Sequence, residues 1–276
     1  MPAISTNIAA NSAVRYLNIN SNQETSSLSK LSSGSRITSA SDDAAGLAIS
    51  TRISSDVTTL QQAATNTAQA TSILQTADGG ASNISDILAR MKSLATESAS
   101  GTTVGTSRTY IQSEFSQLIS EIDSIATGTR YSGQSLLDGT STFSGTTGVA
   151  VMVGSSASDT VNIKLDSLTS TALAVTSLDV STQSGATAAL TALDTAIDTV
   201  SQARASIGAQ ESRFNFSSDS ISTQTQNLQS ANSAIKDVDI ASEQAKLSSA
   251  QVKTQAAVSA EAAANQLPQY LLKLLG

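Results

Sequence analysis

From Leu193 to Ile235 every seventh residue is apolar: Leu193, Val200, Ile207, Phe214, Ile221, Leu228 and Ile235 follow one another without a break. That is the period of an α-helix packed along a coiled-coil seam, so the spacing predicts one helix over 190–235. At 1.5 Å of rise per residue it reaches about 69 Å, too long for the inside of one globule, and it needs a partner of similar length. The interleaved line is mixed. After Leu190 and Ile197 it reads Arg204, Glu211, Ser218, Thr225 and Asn232, polar layers that cost stability and specify register.

A matching pattern lies upstream. Ile53, Val57, Leu60, Ala64, Thr67 and Thr71, continuing through Leu74 to Ala95, predict a second helix of about 63 Å. Its Gly79-Gly80 pair is a soft spot, since a glycine costs about 1 kcal/mol inside a helix. Ser41-Asp42-Asp43 supplies N-cap chemistry before it, with carboxylates at the positive end of the helix dipole. A weaker heptad, Ala10 to Leu31, precedes that cap and is broken by Ser33-Gly34-Ser35. Ile111, Phe115, Leu118, Ile122 and Ile125 make a shorter helix that starts after Gly101 and Gly105 and ends near Gly128. After Ile235, Asp237 or Asp239 caps a final Ala-rich helix through Ala264, followed by the apolar tail QLPQYLLKLLG. The only prolines are Pro2 and Pro268, so long helices are permitted almost throughout.

The middle differs. Six of the fifteen glycines fall between Thr129 and Gly185, where Val149, Val151, Val153 and Val161, Ile163, Leu165 alternate as strands do. Tyr131-Ser132-Gly133 and Leu137-Asp138-Gly139 read as turns, and Leu173, Val175, Leu178 and Val180 as material for another strand. The expected fold is mainly α: a long coiled-coil helical rod built by the N- and C-terminal segments, with a small β-rich insertion.

Composition narrows the function. Leu, Ile, Val and Phe make up 60 of 276 residues, near the roughly 20% below which chains tend to disorder, so the core must be thin. Charged residues are 13%, about half the usual share, which favours surfaces meant for burial against other subunits. The net charge of −7 disfavours nucleic acid or an anionic membrane as partner. With no Cys and no His, thiolate nucleophiles, imidazole bases and the usual zinc sites are excluded; the expectation is no enzyme, no cofactor and no metal. Asp42 and Asp43 do not make a catalytic dyad, because adjacent residues leave a helix in different directions. No run is long enough to span a bilayer, and the N-terminus lacks the features of a cleaved secretory signal.

The segments RITSASDDAAGLAIS (36–50), RYSGQSLLDG (130–139), IKDVDIASEQ (235–244) and ANQLPQYLLKLL (264–275) resemble, in order, the signature segments of bacterial flagellins. The resemblance implies an extracellular subunit that polymerises with itself into the flagellar filament, a motility propeller. It implies export in an unfolded state through the flagellar type III apparatus, and filament cap and hook-associated proteins as neighbours. It also implies three regions: a terminal inner-core coiled coil (1–41 with 237–276), a helical rod domain (42–138 with 186–236) and a small variable outer lobe (139–185). Arg36, Asp42, Asp43, Ala44, Gly46 and Leu47 are then the polymerisation and switch segment. LARMKSLATES (88–98) resembles the helix that a vertebrate Toll-like receptor recognises in flagellins, with Arg90, Leu94 and, on the next helix, Glu114 matching. Ser93 stands where an acidic residue is common. Leu267, Leu271, Leu272, Leu274 and Leu275 are the implied contacts of an export chaperone and of the inner core. The Ser/Thr-rich loop from Thr140 to Thr147 reads as a polar loop or as O-glycan sites. The alternatives are a hook-filament junction protein with flagellin-like termini, an enzyme-bearing filament and a monomeric adhesin.

Overall fold

A computed structural model describes residues 7–275, and side-chain surroundings for residues 7–266. Five helices account for most of the chain: α1 (Ile8–Ser33), α2 (Ala44–Ala99), α3 (Gly105–Gly128), α4 (Gln183–Lys236) and α5 (Ile240–Leu275). The heptad patterns become helices at the expected places, and α5 runs past Ala264 to Leu275. Between α3 and α4 lie β1 (Arg130–Tyr131), β2 (Gln134–Ser135), β3 (Val149–Met152) and β4 (Thr160–Ile163). β1 and β2 form one antiparallel pair, and β3 and β4 another, with Val149 opposite Ile163 and Val151 opposite Val161. Ser132 and Gly133, which turn β1 into β2, have φ of 49° and 83°, the pair of positive angles that a tight two-residue hairpin requires.

The chain divides into two compact units, Met1–Ser55 with Asn227–Gly276, and Asp56–Gln226. In the second, α2, α3, α4 and the strands share one core around Leu74, Ile84, Leu88, Phe115, Leu193 and Phe214. The line Leu193, Val200, Ile207, Phe214, Ile221 is buried as the seven-residue period requires. Its true companion is Ala189, Ala196, Ala203 and Gln210, one position before the line read from the sequence. Leu190 and Ile197 only flank the core. Small side chains there let helices approach closely, and alanine carries no strong hydrophobic signal to betray that role. Gly80 has the same function on α2: a Cβ there would lie 2.8 Å from Thr129 Cγ2 and 2.9 Å from Leu137 Cδ1, whereas one at Gly79 would meet nothing within 4 Å.

The strand expected over Leu173–Val180 does not form. Leu173, Val175 and Val180 are buried, but their segment folds as turns. The Leu173 and Val175 amides donate to Thr169 O and Ser170 O, while Val180 N donates to Gln112 Oε1 at 2.7 Å. Asp123 accepts from both Ser170 N (2.8 Å) and Ser170 Oγ (2.7 Å). Side chains of α3 thus satisfy backbone groups that a strand would have offered to a neighbour. Gln210 does likewise for Lys164, just past the end of β4, bonding both its amide and its carbonyl at 2.8 and 2.9 Å.

Candidate functional site

The segment expected to act in polymerisation and switching lies where α1 gives way to α2. Gly34, with φ of 68°, ends α1 in the left-handed conformation that glycine adopts at low cost. Ser35 then bridges Asp237 in antiparallel fashion: Arg36 N donates to Lys236 O and Val238 N to Gly34 O at 3.1 Å. Arg36 adds a side-chain bond from Nη2 to Ile235 O (2.7 Å), which satisfies a carbonyl at the end of α4. Two connectors distant in sequence, α1 to α2 and α4 to α5, are therefore one joint.

Asp42 Oδ2 accepts from Thr38 N, Thr38 Oγ1 and Ser39 N at 2.9–3.0 Å. The Thr38 hydroxyl, then the two amides, hold its carboxyl below the usual aspartate range, so the loop is fastened by an ionised group. Asp43 is the N-cap, with Oδ1 accepting from Gly46 N (2.8 Å) and its carbonyl accepting from Leu47 N (3.0 Å). The two acids work in separate turns. Ala44 opens α2 and is exposed; Leu47 is half-buried. Gly46 is buried, and a Cβ there would lie 2.8 Å from Asp43 Cγ and 2.9 Å from Ile37 Cδ1, so a side chain would break the cap or displace the loop. On the other side of the joint Asp239 caps α5, accepting from Ala241 N (3.0 Å) and Ser242 N (3.2 Å), while Asp237 accepts from Ser233 Oγ.

Arg90 and Glu114 meet across α2 and α3, with Nε and Nη2 both donating to Oε1 at 2.9 and 2.7 Å. Both are about half exposed. Leu94 is only 2% exposed and belongs to the core, so it does not share their surface. Leu267, Leu271, Leu272, Leu274 and Leu275 lie outside the residues whose side chains are described.

One site had no signature in the sequence. Glu243, buried on α5, accepts from Ser27 Oγ of α1 (2.7 Å) and from Lys246 Nζ (2.9 Å), and these bonds depress its pKa. Ser27 and Glu243 are 216 positions apart, and neither stands out locally. Among the described residues no group of three His, Cys, Asp or Glu could hold a metal ion, and no helix is long and apolar enough to cross a membrane.

Known proteins match this chain along its helical regions. The bacterial flagellin N-terminal helical region matches residues 4–142, and the C-terminal helical region matches 190–275. A flagellin of Halalkalibacterium halodurans is 35% identical over 274 residues, covering 99% of each chain. This chain belongs to the bacterial flagellin family. Flagellin of Bacillus subtilis is 32% identical over 99% of both chains. Among solved structures, Bacillus cereus flagellin has a TM-score of 0.52 at 33% identity, covering 61% of this chain and 94% of that one. A putative flagellar hook-associated protein from Vibrio parahaemolyticus reaches 0.59 over 71% and 100%, but at 15% identity it shares the fold alone. A junction protein is therefore not favoured. As a flagellin the chain is a structural subunit of the extracellular flagellar filament, not an enzyme.

Proposed function

We propose that the subunit builds its filament mainly through the α1–α5 pair. The observation that carries this reading is the apolar surface left on two helices that bury little else: Ile8, Tyr16 and Leu28 on α1, and Ile240, Val252 and Val258 on α5, are all more than half exposed. Isolated in water such a surface is a liability; covered by neighbouring copies it is an interface. On this reading residues 1–41 with 237–276 form the inner core, 42–138 with 186–236 the rod, and 139–185 the outer lobe. The joint of Arg36, Asp42, Asp43, Ala44, Gly46 and Leu47 transmits strain between inner core and rod when subunits repack. Electron microscopy of seeded, purified protein tests it. Wild type should give long filaments and Tyr16→Ser with Val252→Ser few or none; equal assembly of both would sink the reading.

The same apolar helices need cover before export. An export chaperone on the tail, with Leu267, Leu271, Leu272, Leu274 and Leu275 as its contacts, supplies it, and the bound segment then passes unfolded into the type III apparatus. Cap and hook-associated proteins meet the same surfaces at the filament ends. Leu271→Asp with Leu274→Asp should abolish recovery of the chaperone by the 236–276 segment, and undiminished recovery would refute the assignment. The exposed Arg90–Glu114 pair is the surface a vertebrate Toll-like receptor would touch, with Leu94 acting from beneath to hold α2 in place. Charge reversal at Arg90 should lower receptor signalling by the intact chain, while Leu94→Ala should act through stability alone.

A further inference from the structure

The α1–α5 pair carries an unfilled groove along one side. Its α1 wall is Tyr16, Ile19, Gln23, Ser26 and Lys30, in steps of three, four, three and four residues. Its α5 wall is Ser242, Lys246, Ser249, Lys253, Ala256 and Ala260, in the complementary rhythm. Two cavities, of about 600 and 560 Å³, fill the groove and share Gln23 and Lys253, so it is continuous. Two helix rows side by side leave a slot that can receive side chains of an incoming segment. The groove changes in chemistry along its length: Tyr16, Ile19, Ala256 and Ala260 make one end apolar, Lys30 and Lys246 make the other basic, and Lys253 lies where the two cavities meet. Glu243, the carboxylate at the basic end, is already engaged by Ser27 and Lys246. Among the described residues neither Lys30 nor Lys253 forms an ion pair with a carboxylate.

We propose that this groove receives the acidic start of α5, Asp237 to Ile240, from a second copy of the chain. The inference rests on the filament reading and specifies one of its contacts. Asp237 and Asp239 are both exposed, each has an oxygen beyond those used in its local bonds, and Ile240 beside them is 65% exposed. Lys30, whose charge acts on Asp42 and Glu243 without a direct ion pair, and Lys253 thus offer positive charge to two exposed aspartates, and apolar side chains lie along the groove and beside the aspartates. Donor and acceptor are different patches on the same helix pair. Asp239 precedes Lys246 and Lys253 by seven and fourteen residues, an axial offset of about 10–20 Å. A contact between different patches cannot close on itself as a two-fold dimer does; it passes from copy to copy and gives each neighbour a fixed stagger.

Reciprocal charge exchange in the full chain tests the contact. One variant carries Lys30→Glu and Lys253→Glu; the other carries Asp237→Lys and Asp239→Asn, the asparagine keeping the cap of α5. Each alone should raise the critical concentration for seeded assembly about tenfold or more at low salt, and a one-to-one mixture should restore filaments, since either groove then fits the other's connector. Circular dichroism checks that the helices persist. If the glutamates reduce helicity, Lys30→Gln with Lys253→Gln should still raise the critical concentration. The proposal is overturned if the variants assemble at the wild-type concentration, or if both fail and the mixture fails too. Failure of wild type itself to assemble would instead strike the filament reading.

Discussion

At Glu243 a single proton decides how α1 and α5 are held. The Lys246 ammonium and the Ser27 hydroxyl stabilise the carboxylate, so the folded value lies below the ordinary 4.5. Its contribution is therefore complete above the unfolded value and is lost as pH falls through the lower folded one. Glu243→Gln keeps an acceptor for Ser27 but gives up the charge opposite Lys246. Thermal melts should show the variant less stable by about 1 kcal/mol at pH 7, with the difference shrinking as pH falls below the ordinary glutamate range. A difference that persists unchanged in acid would mean that shape, not charge, is what Glu243 supplies. The Gln210 amide works at the same scale without titrating, giving Lys164 the two bonds of a neighbouring strand.

At the scale of elements, the two adjacent glycines of α2 separate propensity from packing. Gly79 faces open space and Gly80 faces Thr129 and Leu137. Gly79→Ala should stabilise the chain by up to about 1 kcal/mol through helix propensity, and Gly80→Ala should destabilise it by about 1–3 kcal/mol through overpacking. Thermal denaturation of both variants checks the contrast, and equal effects would refute it. Phe214, fully buried in the middle of α4, should cost about 3–5 kcal/mol when changed to Ala, read as a loss of denaturant midpoint. Phe214 was visible in the sequence because seven-residue spacing of large apolar residues leaves few alternatives. The line beside it was not, since Ala189, Ala196 and Ala203 look alike whether buried or exposed. The turns over Leu173–Val180 were misread for another reason: alternation says that a segment is half-buried, but not that Gln112 and Asp123 will take its backbone bonds. Nor could spacing reveal the Ser35–Asp237 bridge or the Ser27–Glu243 bond, each joining residues about two hundred positions apart.

In the whole molecule the charge is unevenly shared between the two units. Residues 56–226 hold fifteen of the 22 Asp and Glu but only seven of the fifteen Lys and Arg, so they carry all of the negative excess. Residues 1–55 with 227–276 are close to neutral and bear the exposed apolar positions of α1 and α5. On the proposed filament reading, attraction between copies is concentrated in the unit with the thinner core, while like charge on the other opposes the approach of copies and weakens as salt screens it. The thinner unit also depends on both ends of the chain, because α1 and α5 supply each other's buried face through Ser27, Leu247, Ala250 and Ala257. A lone helix of their composition is marginal in water. Deleting either 1–35 or 241–276 should therefore remove the function of both helices at once while leaving the core around Phe115 and Phe214 intact. Each truncated protein should remain soluble and helical, melt cooperatively and sediment as a monomer under conditions in which the full chain forms filaments. If a chain lacking only one of the two ends still polymerised, the remaining helix would have to make its filament contacts unpaired, and the mutual dependence of α1 and α5 would be wrong.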